Sequence, residues 1–330
     1  MAKAKVLVTG ATGLVGYNIM QALLRREYDV RLLVRSVEKA QRLMPRACEL
    51  VKGDITNKAS LYAAMEGCEA VYHAAGFPEQ WMRDNGIFET VNVNGTRKMV
   101  DVALDLGVKR FVYTSTIDVF KAAPGETYDE SVIDTEPKGT FYERSKQAAD
   151  RMVVAGMEKG LSAIFLHPSA VYGPGPLIKG SPGINDLILK LYKGQVPALL
   201  PGGFPVVYGP DVGEGHVLAA EKAAVGQRFI LSGQYLALDA LARIVYEELN
   251  IKKRFPLIMP LPIAKVVAEV GEAIANITNK PPLIPKGQLT FLQWQAIPSS
   301  AKAKAQLGWE SRSFRDCVKP TYSFVRRLVD

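Results

Sequence analysis

The 330-residue sequence has few residues that bind metals or form disulfides. Its three cysteines, Cys48, Cys68 and Cys317, are far apart and odd in number, and its three histidines are equally dispersed. Neither set has the spacing of a metal site or a redox pair, and free cysteines are typical of a reducing compartment. We therefore expect no bound metal and a cytoplasmic protein.

Long apolar runs and clusters of basic residues are also missing. The most apolar stretch, PLIMPLPIAKVVAEVG, is interrupted by three prolines, Lys265 and Glu269, so the sequence predicts no transmembrane segment. The net charge is +8, but the basic residues are scattered, which argues against nucleic-acid binding and favours an anionic small-molecule ligand. The first strand is expected about five residues from the N terminus, which leaves no space for a targeting peptide.

The first half of the chain alternates between short β-branched runs and segments of helical period. Such alternation predicts an α/β fold with a Rossmann-type, doubly wound parallel sheet. The runs are nearly apolar throughout, as expected for strands that are buried on both faces. They are KVLVTG, DVRLLVR, CELVKGD, AVYHAAG, RFVYTST and SAIFLHPS.

The pattern changes after about residue 174, where prolines and glycines cluster. We predict a dinucleotide-binding domain over residues 1–174, to which residues 205–235 return. Residues 175–204 and 236–330 form a smaller, mostly helical lobe. Because open α/β sheets bind ligands at the carboxyl ends of their strands, this lobe is expected to cover a ligand cleft there.

One segment of the C-terminal lobe has apolar residues at helical spacing. This spacing predicts a helix that packs on the body of the protein, and a helix on a membrane surface is the alternative. The residues are Ile263, Val266, Val267, Val270, Ile274 and Ile277.

The segment KVLVTGATGLVG places three glycines between a strand and a helix. Gly10 permits a tight turn, Gly13 allows the backbone to approach a pyrophosphate, and Gly16 allows the helix to pack closely on the strand. The helix N-terminus then offers free N–H groups to the phosphates. A glycine-rich turn without a ligand is the alternative. The predicted cofactor contacts in this segment are Gly10, Thr12, Gly13, Leu14 and Val15.

Arg35 stands at the end of the second strand, where an acidic residue would favour NAD. A guanidinium suits a 2′-phosphate in charge and geometry, so we predict NADP(H), with NAD(H) left open. A solvated surface arginine is the alternative interpretation.

Two further strand ends complete the predicted cofactor site. Asp54 and Ile55 follow the third strand and are placed at the adenine edge, although Asp54 would also serve as a turn residue. The small residues Ala74, Ala75 and Gly76 follow the fourth strand, where bulk would collide with the cofactor.

Tyr142 and Lys146 lie four residues apart in a helical segment and therefore share a helix face. A nearby lysine favours the phenolate, so we expect Lys146 to lower the pKa of Tyr142 and make it an acid or base for a carbonyl/alcohol pair. Ser115 and Thr116, at another strand end, supply hydroxyl groups for the substrate oxygen and the cofactor.

With these residues in order, the chain resembles the extended short-chain dehydrogenases/reductases. The matching motifs are TGATGLVG, GDITN, HAAG, VNVNGTRKMV, VYTSTIDVF, YERSK, HPSAVYGPG and DVGEGHVLA. The resemblance implies Thr116, Tyr142 and Lys146 as the catalytic set, with Lys146 also bonded to the nicotinamide ribose. It implies a supporting role for Asn92 and a structural role for Asp211 as a helix N-cap.

The resemblance further implies that Pro168 and Ser169 lie beside the nicotinamide and that Val171 also binds the cofactor. A homodimer is the usual arrangement in the superfamily and is expected here as one possibility. The motifs LLVRS and YERSKQAAD are most similar to those of dihydroflavonol reductases, 3β-hydroxysteroid dehydrogenases and farnesol dehydrogenases. Departures from the family pattern are Thr116 in place of serine, His167 in place of arginine, and YGPD before the following helix.

Three functions are consistent with this site. The first is an NADP-dependent oxidoreductase that interconverts a ketone and a secondary alcohol on an apolar molecule. The second is a nucleotide-sugar epimerase or dehydratase with tightly held cofactor, and the third is a non-catalytic NADP sensor. The first is favoured because the intact catalytic set suits an enzyme, whereas the lobe lacks paired cations for a diphosphate. Candidate substrate contacts are Thr116, Trp81 and Trp294, with Met82, Phe88, Leu177, Ile178, Ile184 and Leu187 as further apolar lining.

Overall fold

The computed structural model describes residues 4–79, 82–178, 183–278, 282 and 284–328. The strands are β1 (Lys5–Thr9), β2 (Asp29–Val34), β3 (Glu49–Lys52), β4 (Ala70–His73), β5 (Arg110–Thr114), β6 (Thr127–Tyr128), β7 (Ala163–Pro168), β8 (Ala170–Tyr172), β9 (Ala198–Leu199), β10 (Gly203–Tyr208), β11 (Arg228–Leu231), β12 (Tyr235–Ala237), β13 (Leu257–Ile258) and β14 (Ile297–Pro298).

The helices alternate with these strands in the first half and dominate the second. They are α1 (Leu14–Arg25), α2 (Val37–Leu43), α3 (Lys58–Met65), α4 (Gly86–Phe88), α5 (Thr96–Asp105), α6 (Phe141–Glu158), α7 (Ile184–Lys193), α8 (Gly209–Lys222), α9 (Leu238–Glu248), α10 (Leu261–Thr278), α11 (Lys286–Trp294), α12 (Ala301–Leu307) and α13 (Phe314–Arg326). A π-helical turn spans Glu89–Gly95, and a 3₁₀ turn spans Ile117–Val119.

Seven parallel strands form the central sheet in the order β11-β7-β5-β4-β1-β2-β3. Neighbouring strands of this sheet pair in parallel, because a helix or a longer segment between them brings the chain back to the end of the sheet at which the previous strand began. Helices α1 and α8 cover one face, while α3, α5 and α6 cover the other. The predicted Rossmann-type sheet is confirmed, and β11, from residues 228–231, forms one of its edges.

A second apolar cluster lies outside the central sheet. Strand β10 pairs with β8 and β12 to form a three-stranded sheet, against which α7, α9 and α13 pack. Asp211 connects α8 to the segment before α13, because its carboxylate accepts hydrogen bonds from the backbone N–H and guanidinium of Arg312. Asp211 lies in the first turn of α8, whereas Tyr208 occupies the N-cap. The N-cap prediction for Asp211 is therefore wrong, because the helix begins earlier than expected.

Helix α10 faces the solvent with its larger side chains. Ala264, Ala268 and Ala275 are buried, whereas the large aliphatic residues on the opposite side are mostly exposed. The helix packs on α11 as predicted, but alanines and Val267 make the contact. The prediction is wrong for the other five aliphatic residues, which are exposed. No helix in the described ranges is long and apolar enough to cross a bilayer.

Candidate active site

The carboxyl ends of the parallel strands gather most of the predicted site residues at one edge of the central sheet. Trp81 lies outside the described residues, and Val171 lies on β8. The residues at the edge are Gly10, Thr12, Gly13, Leu14 and Val15 after β1, Arg35 after β2, Asp54 and Ile55 after β3, Ala74, Ala75 and Gly76 after β4, Ser115 and Thr116 after β5, and Pro168 and Ser169 at β7.

The glycine turn after β1 has a shape that fits a pyrophosphate. Gly10 has a φ of +75°, a conformation that favours glycine. Gly13 is the N-cap of α1 and brings no capping side chain, so the first N–H groups of the helix are left for a ligand. A Cβ on Gly13 would approach only the Gly10 carbonyl oxygen, at 3.3 Å, and would otherwise project into open space.

A buried histidine connects the ends of β1 and β4 to α5. The Thr9 hydroxyl lies 2.9 Å from His73 Nδ1 and accepts a hydrogen bond from the Ala75 N–H. His73 Nε2 lies 3.1 Å from the Thr96 hydroxyl. Burial lowers the pKa of His73 to about 3, so the imidazole is neutral near pH 7. These contacts hold the loop that carries the small residues Ala74 to Gly76 against the glycine turn.

Arg35 is exposed at the end of β2, and no hydrogen bond or ion pair from its side chain reaches the described residues. The adjacent Ser36 caps α2, since its hydroxyl accepts a hydrogen bond from the Lys39 N–H. Asp54 accepts hydrogen bonds from the N–H and hydroxyl of Thr56, as in an Asx turn. Arg35 is thus available to a ligand, whereas Oδ1 of Asp54 is already hydrogen-bonded within the turn that it begins.

Helix α6 positions Tyr142 and Lys146. A capping box between Thr140 and Glu143 sets its first residue, Phe141. One turn later, Lys146 Nζ donates hydrogen bonds to the Thr114 carbonyl oxygen (2.8 Å) and to the Tyr113 hydroxyl (3.2 Å). The helix and the end of β5 are therefore joined at the point where Thr116 begins the 3₁₀ turn.

The pKa of Tyr142 departs from the sequence prediction. Burial raises it well above the usual range and the charge of Asp118 adds to this effect, while a hydrogen bond with Thr116 opposes it. Burial lowers the pKa of Lys146 to about 8, although Asp150 and Asp118 act in the opposite direction. The prediction that Lys146 lowers the pKa of Tyr142 is wrong for this structure, because the ammonium group bonds to β5 instead.

Sequence reasoning missed a buried polar network next to the predicted catalytic residues. Asp150 accepts hydrogen bonds from Ser115 and from Arg228, which also lies 3.3 Å from His167 Nε2. His167 Nδ1 donates to the Thr116 carbonyl oxygen at 3.0 Å, so its tautomer is defined. Asp150 lies one turn beyond Lys146 on α6, and this four-residue spacing is the sequence feature that could have indicated its place in the network.

Asn92 lies in the π-helical turn and is buried. Its amide accepts from the Phe77 N–H and donates to the Phe77 carbonyl oxygen and the Ser145 hydroxyl. Ser145 in turn donates to the Tyr142 carbonyl oxygen. Asn92 therefore connects the loop after β4 to the first turn of α6.

Other polar and aromatic groups surround the same edge. Ser169 Oγ is buried and has no hydrogen-bond partner within the described ranges. Trp294 on α11 donates to the Ala122 carbonyl oxygen and packs on Tyr128, with ring centroids 5.4 Å apart. Phe88 and Ile184 are buried instead of lining a cleft, since they pack on neighbouring aromatic and aliphatic side chains.

Comparison with known proteins identifies the family. The model of the NAD dependent epimerase/dehydratase family matches residues 6–231. The chain belongs to this family. It is 32% identical to sterol demethylase protein B of Methylococcus capsulatus, over 97% of this chain and 98% of that protein. It is also 27% identical to the 4-hydroxy-2-methyl-3-oxo-4-farnesyl-3,4-dihydroquinoline-1-oxide ketoreductase of Stigmatella aurantiaca, over 93% of this chain and 92% of that protein.

Among solved structures, the crystal structure of gox2253 superposes with a TM-score of 0.84 at 31% identity and covers 98% of both chains. The resemblance to extended short-chain dehydrogenases/reductases is confirmed. The protein is an NAD(P)-dependent oxidoreductase of this superfamily.

Proposed function

We propose that the protein interconverts a ketone and a secondary alcohol on an apolar small molecule, with NADP(H) as the preferred cofactor and Thr116, Tyr142 and Lys146 as the catalytic set. One observation carries the proposal. The phenol of Tyr142 and the hydroxyl of Thr116 meet at the sheet edge that also holds the open glycine turn. An acid and an oxygen-binding hydroxyl thus stand beside a dinucleotide site.

The cofactor assignment is supported by the shape and charge of two strand ends. The space beside Gly13, where an added Cβ would meet only the Gly10 carbonyl oxygen, supports a pyrophosphate site there. The guanidinium of Arg35 has no partner in the described part of the chain and lies next to the N-terminus of α2, where an anion is favoured by the helix dipole. A 2′-phosphate placed there would be bound by Arg35, with Ser36 and Lys39 nearby. When bound, the nicotinamide supplies or accepts the hydride.

Each protein group then has one task. Tyr142 donates a proton to the carbonyl oxygen during reduction and takes it back during oxidation. Thr116 holds the same oxygen in place. Lys146 supplies a positive charge beneath them, and Asp150 provides its counter-charge. Ser115 and Arg228 donate hydrogen bonds to Asp150 and orient it, so a buried hydrogen-bond network supports the acid–base groups.

An apolar substrate is supported by the cations and aromatic residues of the lobe. Lys190 is paired with Asp186 at 2.8 Å, and Lys286 lies 3.9 Å from Glu272, so each already has an acidic partner. Lys179 and Lys280 lie outside the described residues. Aromatic side chains of Tyr128 and Trp294 instead lie close to the catalytic edge. Both relatives compared above carry the name of an apolar sterol or farnesyl compound.

The decisive experiment is a panel of sterol-, flavonoid- and terpenoid-like ketones and alcohols, assayed with NADP(H) and NAD(H) by nicotinamide absorbance. Stoichiometric oxidation of added NADPH by an apolar ketone is the expected result. Turnover of a nucleotide sugar without net change in nicotinamide absorbance, with cofactor retained through gel filtration, would assign the protein to the epimerases instead.

A further inference from the structure

Asp118 is a buried carboxyl group in direct contact with the catalytic hydroxyl. It lies on the 3₁₀ turn after β5, and only 8% of its surface is exposed. Its Oδ2 lies 2.8 Å from Thr116 Oγ1, which also accepts a hydrogen bond from the Asp118 N–H at 3.3 Å. Its Oδ1 is buried and has no hydrogen-bond partner among the described residues.

The Thr116 hydroxyl has only one proton to donate. When Asp118 is ionised, its carboxylate accepts the hydrogen bond that the Thr116 hydroxyl donates. Thr116 can then only accept hydrogen bonds from other groups. When Asp118 is protonated, the carboxyl O–H can donate to Thr116 Oγ1. The Thr116 O–H is then free to donate to a carbonyl oxygen, which is solely an acceptor.

We propose that Asp118 is a positioning residue that directs the Thr116 hydroxyl, and that its protonated form is the one competent in ketone reduction. This inference rests on the proposed function. It adds a group that controls catalysis through Thr116 without touching the substrate.

The surroundings of Asp118 place its titration within the range of an enzyme assay. Burial raises its pKa to about 6 and Glu143 adds to the shift, whereas Thr116, Lys138 and Lys146 oppose it. Burial dominates because the carboxyl group lies away from water. The charged and titratable groups that act on it are Glu143, Tyr142 and Lys146 on α6, Lys138 before α6, and Tyr128 on β6.

The test is the pH dependence of kcat/KM for reduction of the best ketone. In the wild type we expect kcat/KM to fall about tenfold per pH unit once Asp118 ionises. Asp118→Asn does not titrate, and its amide N–H can still donate to Thr116. In this variant, the pH above which kcat/KM begins to fall should therefore move from near 6 toward the pKa of Lys146, near 8. Asp129→Asn, at an exposed carboxylate, is the matched control and should keep the wild-type profile.

NADPH titration shows whether each variant is folded. If Asp118→Asn does not bind NADPH, Thr116→Ser and Thr116→Val test the proposal instead. Only serine retains a hydroxyl that Asp118 can direct, so only Thr116→Ser should keep the fall of kcat/KM near pH 6. A fall of kcat/KM near pH 6 that survives in Asp118→Asn or Thr116→Val overturns this proposal alone. Failure of the wild type to reduce any ketone overturns the proposed function and this inference together.

A second inference comes from a different surface. Helix α10 and the strand before it expose a row of large aliphatic side chains, which we call the aliphatic stripe. Exposed large hydrophobic residues elsewhere in the described ranges are mostly scattered, but here they follow one another over residues 257–277. The stripe consists of Leu257, Ile258, Ile263, Val266, Val270, Ile274 and Ile277, which are 52–82% exposed.

Charge and position indicate what covers the stripe. Lys252, Lys253 and Arg254 are exposed and directly precede it in the chain. Helix α10 packs on α11, which carries Trp294 at the candidate substrate site. Basic residues that precede an exposed apolar segment in the chain suit binding to an anionic lipid surface. We infer that the aliphatic stripe lies in the interfacial layer of an anionic bilayer, close to the source of an apolar substrate.

Co-sedimentation with vesicles tests this inference on the whole 330-residue chain. We expect binding to vesicles containing phosphatidylglycerol, and at least about tenfold weaker binding to pure phosphatidylcholine. The double variant Val266→Asp/Ile274→Asp should lose binding to both. Val225→Asp, at an equally exposed valine outside the stripe, should bind like the wild type. Absence of vesicle binding, or a protein dimer in sedimentation that Ile274→Asp dissociates, would overturn the inference, the latter by assigning the stripe to a second copy.

Discussion

A Cβ atom on Gly10 would lie 2.7 Å from the carbonyl oxygen of Ala74. The two loops that follow β1 and β4 are therefore in backbone contact at the centre of the sheet edge. Gly13, only three residues later, has no such neighbour apart from Gly10 itself. The two glycines of this motif thus have different surroundings, since Gly10 is packed against the backbone of Ala74 and Gly13 borders open space.

This difference predicts two distinct outcomes for alanine substitution. Gly10→Ala should destabilise the fold by roughly 1–3 kcal/mol, since alanine is strained at positive φ and would press on Ala74. Gly13→Ala should fold with nearly wild-type stability and lose cofactor affinity. Urea unfolding and NADPH titration of both variants separate the two effects. A loss of stability in Gly13→Ala equal to that in Gly10→Ala would contradict the assignment.

Arg35→Ala should weaken NADP(H) binding by about 1.5–3 kcal/mol, as expected for the loss of a hydrogen bond between charged groups. NAD(H) lacks the 2′-phosphate, so its affinity should change little. Titration of both cofactors measures the difference. Arg42→Ala is a suitable control, because Arg42 is on α2 but is paired with Glu38. An equal loss for both cofactors would sink the NADP prediction.

Tyr142→Phe retains the ring and removes the proton. We expect kcat for ketone reduction to fall by about a hundred- to ten-thousand-fold, the usual effect of a general acid, while cofactor affinity stays close to the wild type. Lys146→Met should also reduce cofactor affinity, because it loses the expected contact with the nicotinamide ribose. Steady-state kinetics with NADPH titration distinguishes the two variants. Substantial turnover in Tyr142→Phe would show that another group is the acid.

The three histidines predict a loss of stability in acid. Burial lowers the pKa of His73 and His167 to about 3 and of His216 to about 4. Between pH 6.5 and these values the unfolded chain binds a proton at each site and the folded chain does not. The free energy of unfolding should therefore decrease as pH falls, by about 1.4 kcal/mol per pH unit for each histidine.

Urea unfolding between pH 5 and 6.5 measures this slope. Asp118 acts in the opposite direction, since its pKa is raised and the folded state binds its proton. His216→Gln removes one titrating site, so the slope should decrease by about 1.4 kcal/mol per pH unit regardless of absolute stability. An unchanged slope in this variant would contradict the prediction.

Features encoded locally could be predicted from the sequence. The glycine turn, the alternation of strands and helices, and the Tyr142–Lys146 spacing each depend on a few adjacent residues. The partners of Asp150 could not be predicted in this way, because Arg228 is 78 residues away. The inward face of α10 was also mispredicted, since hydrophobicity favours its aliphatic side and only the tertiary structure shows that alanines make the contact. The pKa of Tyr142 was mispredicted for a similar reason, because burial and the charge of Asp118 raise it while Lys146 bonds to β5.

The position of β11 has a consequence for biosynthesis. Asp150 belongs to a helix that leaves the ribosome well before Arg228, and at about 5–20 residues per second the 78 residues between them take roughly 4–16 s to translate. In the later part of that interval, once β7 has been translated, the nascent sheet has an open edge at β7, and the carboxylate of Asp150 lacks Arg228. A chaperone that shields this edge would act in that window, and truncated products that end before residue 228 should be prone to aggregation.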